Sequence, residues 1–352
     1  MSVQDYYATT YLTCNVEYSF WASWKGVAYP THAMQLISFP LQILAFYIII
    51  KKTPTVMKSV SWPLLLNHSL CTGLDIGLCS GGTPYVFLPV AGIFGLGTLS
   101  WFGIPFTIQL FVGLIIGNGA VCSYVYLFEI RSSSLPQNRF KITRKSTRLL
   151  YHAIVFFYNC SCLLFFLTNP ADQEAAKLHA LTRYPCPTTE FFEFPVTILL
   201  TDQNVIQFIS FIFLPSMILQ TAGNIIFHAF CAVYYLYIAP SKSVSKETQK
   251  NQKAFLIGIL LQTCIPLMFI SGPLIILAIA YSFGYYSQEM MNLSIVCAAF
   301  HGVAQSVAVI TVHHHYRKTA KKMIWKIICK ESRSTVRLAE ASSRLFRSRD
   351  LS

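Results

Sequence analysis

Residues 246–282 read KETQKNQKAFLIGILLQTCIPLMFISGPLIILAIAYS. Charge is confined to the opening turns, and from Ala254 to Ser282 no charged side chain occurs. A helix that crosses a bilayer needs about 20 mainly apolar residues, because each residue rises ~1.5 Å across a hydrocarbon core of ~30 Å. This stretch is long enough to cross, and it begins at a lysine-rich boundary. Reading outward by the same criterion gives spans at 27–50, 60–83, 97–129, 148–168, 205–238, 254–282 and 289–312. The second is interrupted by Asn67, His68 and Asp75, the third extends past the bilayer, and the fifth is too long for one crossing. Composition agrees: 54% of the chain is hydrophobic and 12% charged, against about a quarter charged in soluble proteins. That balance excludes an ordinary cytosolic enzyme, a disordered regulator and a small disulfide-stapled domain. No basic segment followed by a short apolar core opens the chain, so no cleaved signal peptide is expected.

The net charge is +13. In a soluble chain this would suggest nucleic acid; in an apolar one its distribution decides, and here nucleic acid is not an expected partner. All of the 27 Lys and Arg except Lys25, Lys177 and Arg183 follow spans one, three, five and seven. Asp5, Glu17, Asp172, Glu174, Glu190, Glu193, Asp202 and Glu289 lie on the opposite side. Basic short loops stay cytoplasmic, which puts the N-terminus outside and the C-terminus inside and demands an odd number of spans. The expected fold is an all-α membrane protein, a seven-transmembrane helical bundle in the cell membrane. Its divisions are an outer segment 1–26, the bundle 27–312, a helix 313–330 and a disordered tail 331–352. In the helix, Ala320, Met323, Ile324, Ile327 and Ile328 form one stripe, with Lys318, Lys321, Lys322 and Lys326 around it. Such a stripe is expected to lie in the inner headgroup layer.

Polar groups inside the spans are costly, at ~2.5–3.5 kcal/mol or more for a charge at the helix centre. Asp75 is the acid deepest in a span, roughly 20 Å from the inner end, with Asn118 and His301 at ~17 Å. Gln42, Asn67, Gln305 and Ser306 form a tier below. Two readings stand: a network that rearranges when the bundle switches, holding water or a cation, or static interhelical hydrogen bonds. Pro105, Pro215, Pro266 and Pro273 are placed inside spans three, five and six, where each removes a backbone hydrogen bond; Pro215 and Pro266 are the candidate hinges. Glu129-Ile130-Arg131, at the inner end of span three, forms either a lock or an interface marker.

The outside is oxidising, and Cys14–Cys186 is the expected disulfide, with Cys79–Cys186 as the alternative. Cys329 is a palmitoylation candidate. The sequons at Asn67, Asn159 and Asn292 lie in or against spans and are expected to be bare. His313-His314-His315 has no carboxylate beside it, so no metal is expected. No P-loop, His-Glu-x-x-His motif, serine elbow or intramembrane carboxylate pair occurs. The chain is therefore expected to have no catalytic residues and no cofactor.

The stretches Ala22-Ser23-Trp24-Lys25-Gly26, Met57-Lys58-Ser59-Val60, Leu64-Leu65-Leu66-Asn67-His68, Tyr184-Pro185-Cys186-Pro187 and Tyr316-Arg317 resemble the nematode seven-span chemoreceptors of serpentine receptor class H. The resemblance runs from about residue 5 to 330, with one departure: His315 stands where the family usually has Pro, so a less sharply bent junction after span seven is expected. It implies a G-protein-coupled receptor of sensory-neuron cilia that detects small environmental molecules, odorants or pheromones, and activates a heterotrimeric G protein. A ligand pocket is expected among the outer halves of spans three, five, six and seven, and depth counting nominates Phe106, Gln109, Phe208, Phe211, Met268, Phe269 and Met291. The resemblance further implies that an inner cleft presents Arg131, Arg139, Lys141, Lys246 and Lys250 to the G protein. The alternatives are a small-solute transporter, which wants two matching halves that are not visible here, and a ligand-gated channel subunit with its N-terminus inside. A tag at residue 1 should be labelled on intact cells and one at residue 352 only after permeabilisation; the reverse pattern would overturn the topology.

Overall fold

The computed structural model describes residues 1–15, 19–53, 58–241, 244–323 and 325–326. Six helical stretches are long and apolar enough to cross a membrane: Trp24–Lys52, Phe106–Ser133, Lys145–Thr168, Gln203–Ile238, Lys246–Ser282 and Gln288–Val312. The seventh crossing, Lys58–Ile76 with a π-helical turn Gly77–Gly81, falls below that apolar measure because it carries Asn67, His68 and Asp75. All three are buried, since this helix packs against spans one, three and seven. In lipid such polar groups survive only by facing the bundle interior.

The long spans five and six are each one path with a widened turn. Span five joins Gln203–Phe208 to Leu214–Val233 through a π turn at Ile209–Phe213. Span six joins Lys246–Pro266 to Gly272–Ser282 through Leu267–Ser271. In each, the residue preceding a proline donates five residues back, Leu214 to the Ile209 carbonyl and Gly272 to the Leu267 carbonyl. Pro215 and Pro273 have no N–H, and the widened turn is the local adjustment that keeps the carbonyls before them bonded. Pro105 corrects the sequence reading. It stands at the N-cap of Phe106–Ser133, outside the helix, and the true interior prolines of the early spans are Pro30, Pro40 and Pro63.

The residues between spans two and three, a connection in the sequence reading, fold into an outer cap. Pro84–Phe87 (β1) and Gly92–Gly95 (β2) form an antiparallel hairpin in the register Pro84↔Gly95, and Thr197–Ile198 (β3) adds to β2. Gly97 leaves the hairpin so close to span two that a Cβ there would overlap the Gly81 carbonyl, which only glycine avoids. Tyr85, Phe87, Phe94 and Phe191 are fully buried in one cluster with Val27 and Ala28 of span one and Met291 and Ile295 of span seven. Aromatic pairs bind this layer, Tyr85–Phe94 at 5.0 Å and Phe87–Phe191 at 5.4 Å between centroids.

The N-terminus is tied into the cap. Val3–Ala8 starts with a Ser2/Asp5 capping box, and its bonds to Ser2 hold the Asp5 carboxyl below the usual range. The Val3 N–H donates to Glu174 at 2.7 Å, the Tyr6 hydroxyl to the Pro185 carbonyl at 3.0 Å and the Tyr11 hydroxyl to the Pro187 carbonyl at 2.7 Å. Cys14 and Cys186 are disulfide-bonded with Cα atoms 5.6 Å apart.

At the inner end, span seven stops at Val312, and His313 adopts an extended backbone. Helix resumes over residues 314–323. The break occurs without the family's Pro, because the buried His313 ring stacks on Phe255 at 5.3 Å and is held where a Gly258 side chain would otherwise stand. The apolar stripe of the tail helix is also revised: Tyr316 and Ala320 pack on Ala45, Ile48, Ile49 and Leu64, so protein covers the start of that stripe. Ile324, Ile327, Ile328 and Cys329 lie outside the described residues.

Breaking the tie between residues 14 and 186, which are 172 apart in sequence, should cost about 2–4 kcal/mol. Thermal unfolding of Cys14→Ser should show this, and reductant should lower the wild type to the same midpoint.

Candidate functional site

The polar interior is built by helical spacing. Ser38 and Gln42 stand one turn apart on span one and both donate to one Asp75 oxygen, at 2.7 Å and 2.6 Å. Cys79, one turn above Asp75 on its own helix, donates to the other oxygen at 3.4 Å. Span seven passes directly beneath, since a Cβ on Gly302 would coincide with the Asp75 carboxylate. Asp75 is 1% exposed, and among the described residues both ion pairs are made by Glu129, not by Asp75. Its carboxyl is therefore satisfied by neutral donors alone.

A second tie lies below. The Asn67 amide donates to Ser123 of span three at 2.8 Å, and Gln305 of span seven donates to Asn67 at 3.2 Å. Of the sequence candidates, Asp75 and Gln42 are thus bonded directly, and Asn67 links spans two, three and seven. Ser306 bonds its own turn at the Gly302 carbonyl. Asn118 faces the other way, donating to Cys162 of span four at 3.3 Å, so it leaves the network. His301 is buried with Nδ1 unbonded, as are His68 Nδ1, Thr72 Oγ1, Gln42 Oε1 and Gln305 Oε1. Ser38, Cys79 and Ser123 were missed in sequence, although Ser38 lies four before Gln42 and could have been found by that spacing.

At the inner end Glu129 and Arg131 do not pair. Glu129, fully buried, accepts from Arg148 at 3.0 Å, His152 at 3.3 Å and Ser133 at 2.6 Å, which fastens span three to span four. His228 of span five joins the same layer through Ser132 at 2.9 Å and Tyr151 at 3.2 Å. Arg131 turns toward span six, its guanidinium 5.9 Å from the Phe255 ring centre, with Nε and one Nη unbonded. At 5% exposed it is withdrawn from the inner surface, in contrast to the sequence expectation. Arg139, Lys141, Lys246 and Lys250 are exposed there.

The nominated pocket residues do not converge. Gln109 bonds Ser100 and the Ile104 carbonyl, and Phe106 lies against Gly95 of the hairpin. Met291 belongs to the cap core. Phe208 reaches Phe165 of span four, and Phe269 stacks on Phe300 of span seven. Phe211 and Met268 are 69% and 65% exposed.

What the outer halves share instead is loose packing. Span six buries Phe255, Leu256, Ile259, Gln262 and Thr263 below Pro266, but above it only Leu277. Span three buries no residue between Gln109 and Gly119. On span five, Leu214 and Ile218 continue at helical spacing the stripe of Ile225 and Ala232. Ala232 is fully buried, whereas Ile218 is 62% exposed. On span five one face is therefore covered near the inner side and exposed near the outer side.

Residues 22–326 match the family model of the serpentine-type 7TM GPCR chemoreceptor Srh. The chain belongs to this family. It is also 31% identical over 354 aligned positions to serpentine receptor class H-72 of Caenorhabditis elegans, covering 98% of each chain. The Srh resemblance motifs acquire physical roles in the fold. The backbone of Ala22-Ser23 receives the Asn292 amide, and the Trp24 N–H donates to Glu190 at 2.9 Å. In the receptor all three sequon asparagines are buried and bonded within the protein.

Gly302→Ala should destabilise the receptor by about 1–3 kcal/mol, because the methyl group must displace a packed carboxyl. Gly113→Ala, where a Cβ meets nothing within 4 Å, should change it by less than about 1 kcal/mol. Thermal unfolding of the two variants in the same detergent tests the difference.

Proposed function

We propose that this receptor detects small apolar or volatile molecules in the outward-opening space among spans three, five and six, and activates a heterotrimeric G protein at its basic inner face. The supporting observation is the asymmetry within single helices: the same faces are packed at the inner end and unpacked at the outer end. An apolar molecule placed there gains contact with side chains such as Leu214 and Ile218 without displacing a packed core. It biases the bundle only through different affinity for two arrangements. The π turns beside Pro215 and Pro266 are where the outer segments of spans five and six can change angle at least cost in hydrogen bonds. Movement of span six carries Phe255 away from Arg131, which then joins Arg139, Lys141, Lys246 and Lys250 at the surface. The Asp75 network supports the same reading, since it ties spans one, two and seven by neutral bonds of ~0.6 kcal/mol each on average.

The test is nucleotide exchange on a Gα subunit by the full-length receptor in nanodiscs, with a panel of volatile and apolar compounds. At least one should accelerate exchange, and Asp75→Asn should lose that response while its unfolding midpoint shifts little. Solute uptake with no exchange would favour the transporter reading. Phe255→Leu keeps an apolar side chain but removes the ring beside Arg131, a contact worth ~1 kcal/mol. It should raise ligand-independent exchange about fivefold; unchanged basal exchange would remove Arg131 from the switch.

A further inference from the structure

At the start of the tail helix Tyr316 and Ala320 pack against the protein, and the lysines of the same turns are exposed. Tyr316 is fully buried, and its hydroxyl lies 2.8 Å from that of Thr53 at the end of span one. This bond sets two basic groups side by side: Lys51 and Lys52, just before Thr53, and Lys318, Lys321, Lys322 and Lys326, just after Tyr316. All six side chains are exposed. Tyr316 and Ala320 face the bundle, so by helical spacing Lys318, Lys321 and Lys322 point away from it. Residues 313–326 contain no Asp or Glu, and among the described residues both ion pairs are made elsewhere, by Glu129. Arg317 is occupied separately, donating to the Thr311 carbonyl at 3.1 Å. Trp325, 68% exposed at the end of this face, is an amphipathic ring suited to the headgroup level.

We propose that the junction of span one and the tail helix is a seat for an inner-leaflet phospholipid with a multiply phosphorylated headgroup. Lys318, Lys321 and Lys322 fall within about one helical turn, ~6 Å of rise, and among the described residues no Asp or Glu pairs with them or with Lys326. Charge complementarity therefore requires a ligand with several negative charges at one point. A neutral headgroup supplies none, and a singly charged one leaves most of the lysines facing each other. Tyr316 and Thr53 fix the backbone of the seat, so only the lysine side chains have to be ordered by the lipid. This proposal is independent of ligand detection and of the G protein.

Native mass spectrometry of the full-length receptor, titrated with phosphatidylcholine, phosphatidylserine and phosphatidylinositol bisphosphate, reads it directly. The bisphosphate lipid should bind tightest and phosphatidylcholine weakest. Each cation near the surface is worth about fivefold in binding, so K318Q/K321Q/K322Q should weaken the bisphosphate lipid about 100-fold and K51Q/K52Q about 20-fold. The control R139Q/K141Q, on the basic loop after span three, should change it less than twofold. Equal losses in the control and tail variants would reduce the site to diffuse attraction and overturn the proposal. So would an unaffected tail variant, or phosphatidylserine binding as tightly as the bisphosphate lipid. Soluble inositol trisphosphate binding as tightly as the lipid would mean that the site takes free phosphates and not membrane lipid.

Discussion

Within hydrocarbon a backbone N–H or C=O finds no water, and each unsatisfied group costs several kcal/mol. In a helical bundle each crossing meets this within its own helix, and every departure from α-helix has to repair its own hydrogen bonds. The π turns before Pro215 and Pro273 are such repairs, with Leu214 and Gly272 donating five residues back. A proline preceded by an ordinary α-helical turn would leave a carbonyl of that turn orphaned, whereas a widened turn spreads the adjustment over five residues.

The same constraint governs side chains. Asp75 is tolerated because Ser38, Gln42 and Cys79 donate to it and Gly302 lets span seven approach. Glu129 is tolerated because Arg148 and His152 meet it. These two solutions differ in strength. The ionic fastening of Glu129 holds spans three and four at the inner side, while the neutral bonds around Asp75 tie spans one, two and seven with partners left over. Ionic contacts thus hold the inner side of spans three and four, and neutral contacts the polar interior of spans one, two and seven.

The outer cap adds a third element that lipid does not dictate. The hairpin, the strand at Thr197–Ile198 and the disulfide-held N-terminus form an aqueous-side core of Tyr85, Phe87, Phe94 and Phe191 that leans on spans one and seven. That core rests on spans one and seven, whereas the outer parts of spans three, four, five and six bury few side chains.

The number of spans, their direction, the basic inner face and the burial of Asp75 were legible in the residues, because transfer of charge and backbone into lipid is a property of local sequence. Cys14 and Cys186 were legible for a similar reason, as thiols in hydrophilic outer segments. The hairpin was not: PYVF and GIFG are as apolar as the helix that follows, and only pairing across the turn separates strand from span. Nor could spacing show that Asn118 faces span four, that Arg131 turns to Phe255 rather than to Glu129, or that the nominated pocket residues scatter. Depth along a helix follows from counting, but azimuth and partner depend on how neighbouring helices pack, which is a property of the assembled bundle.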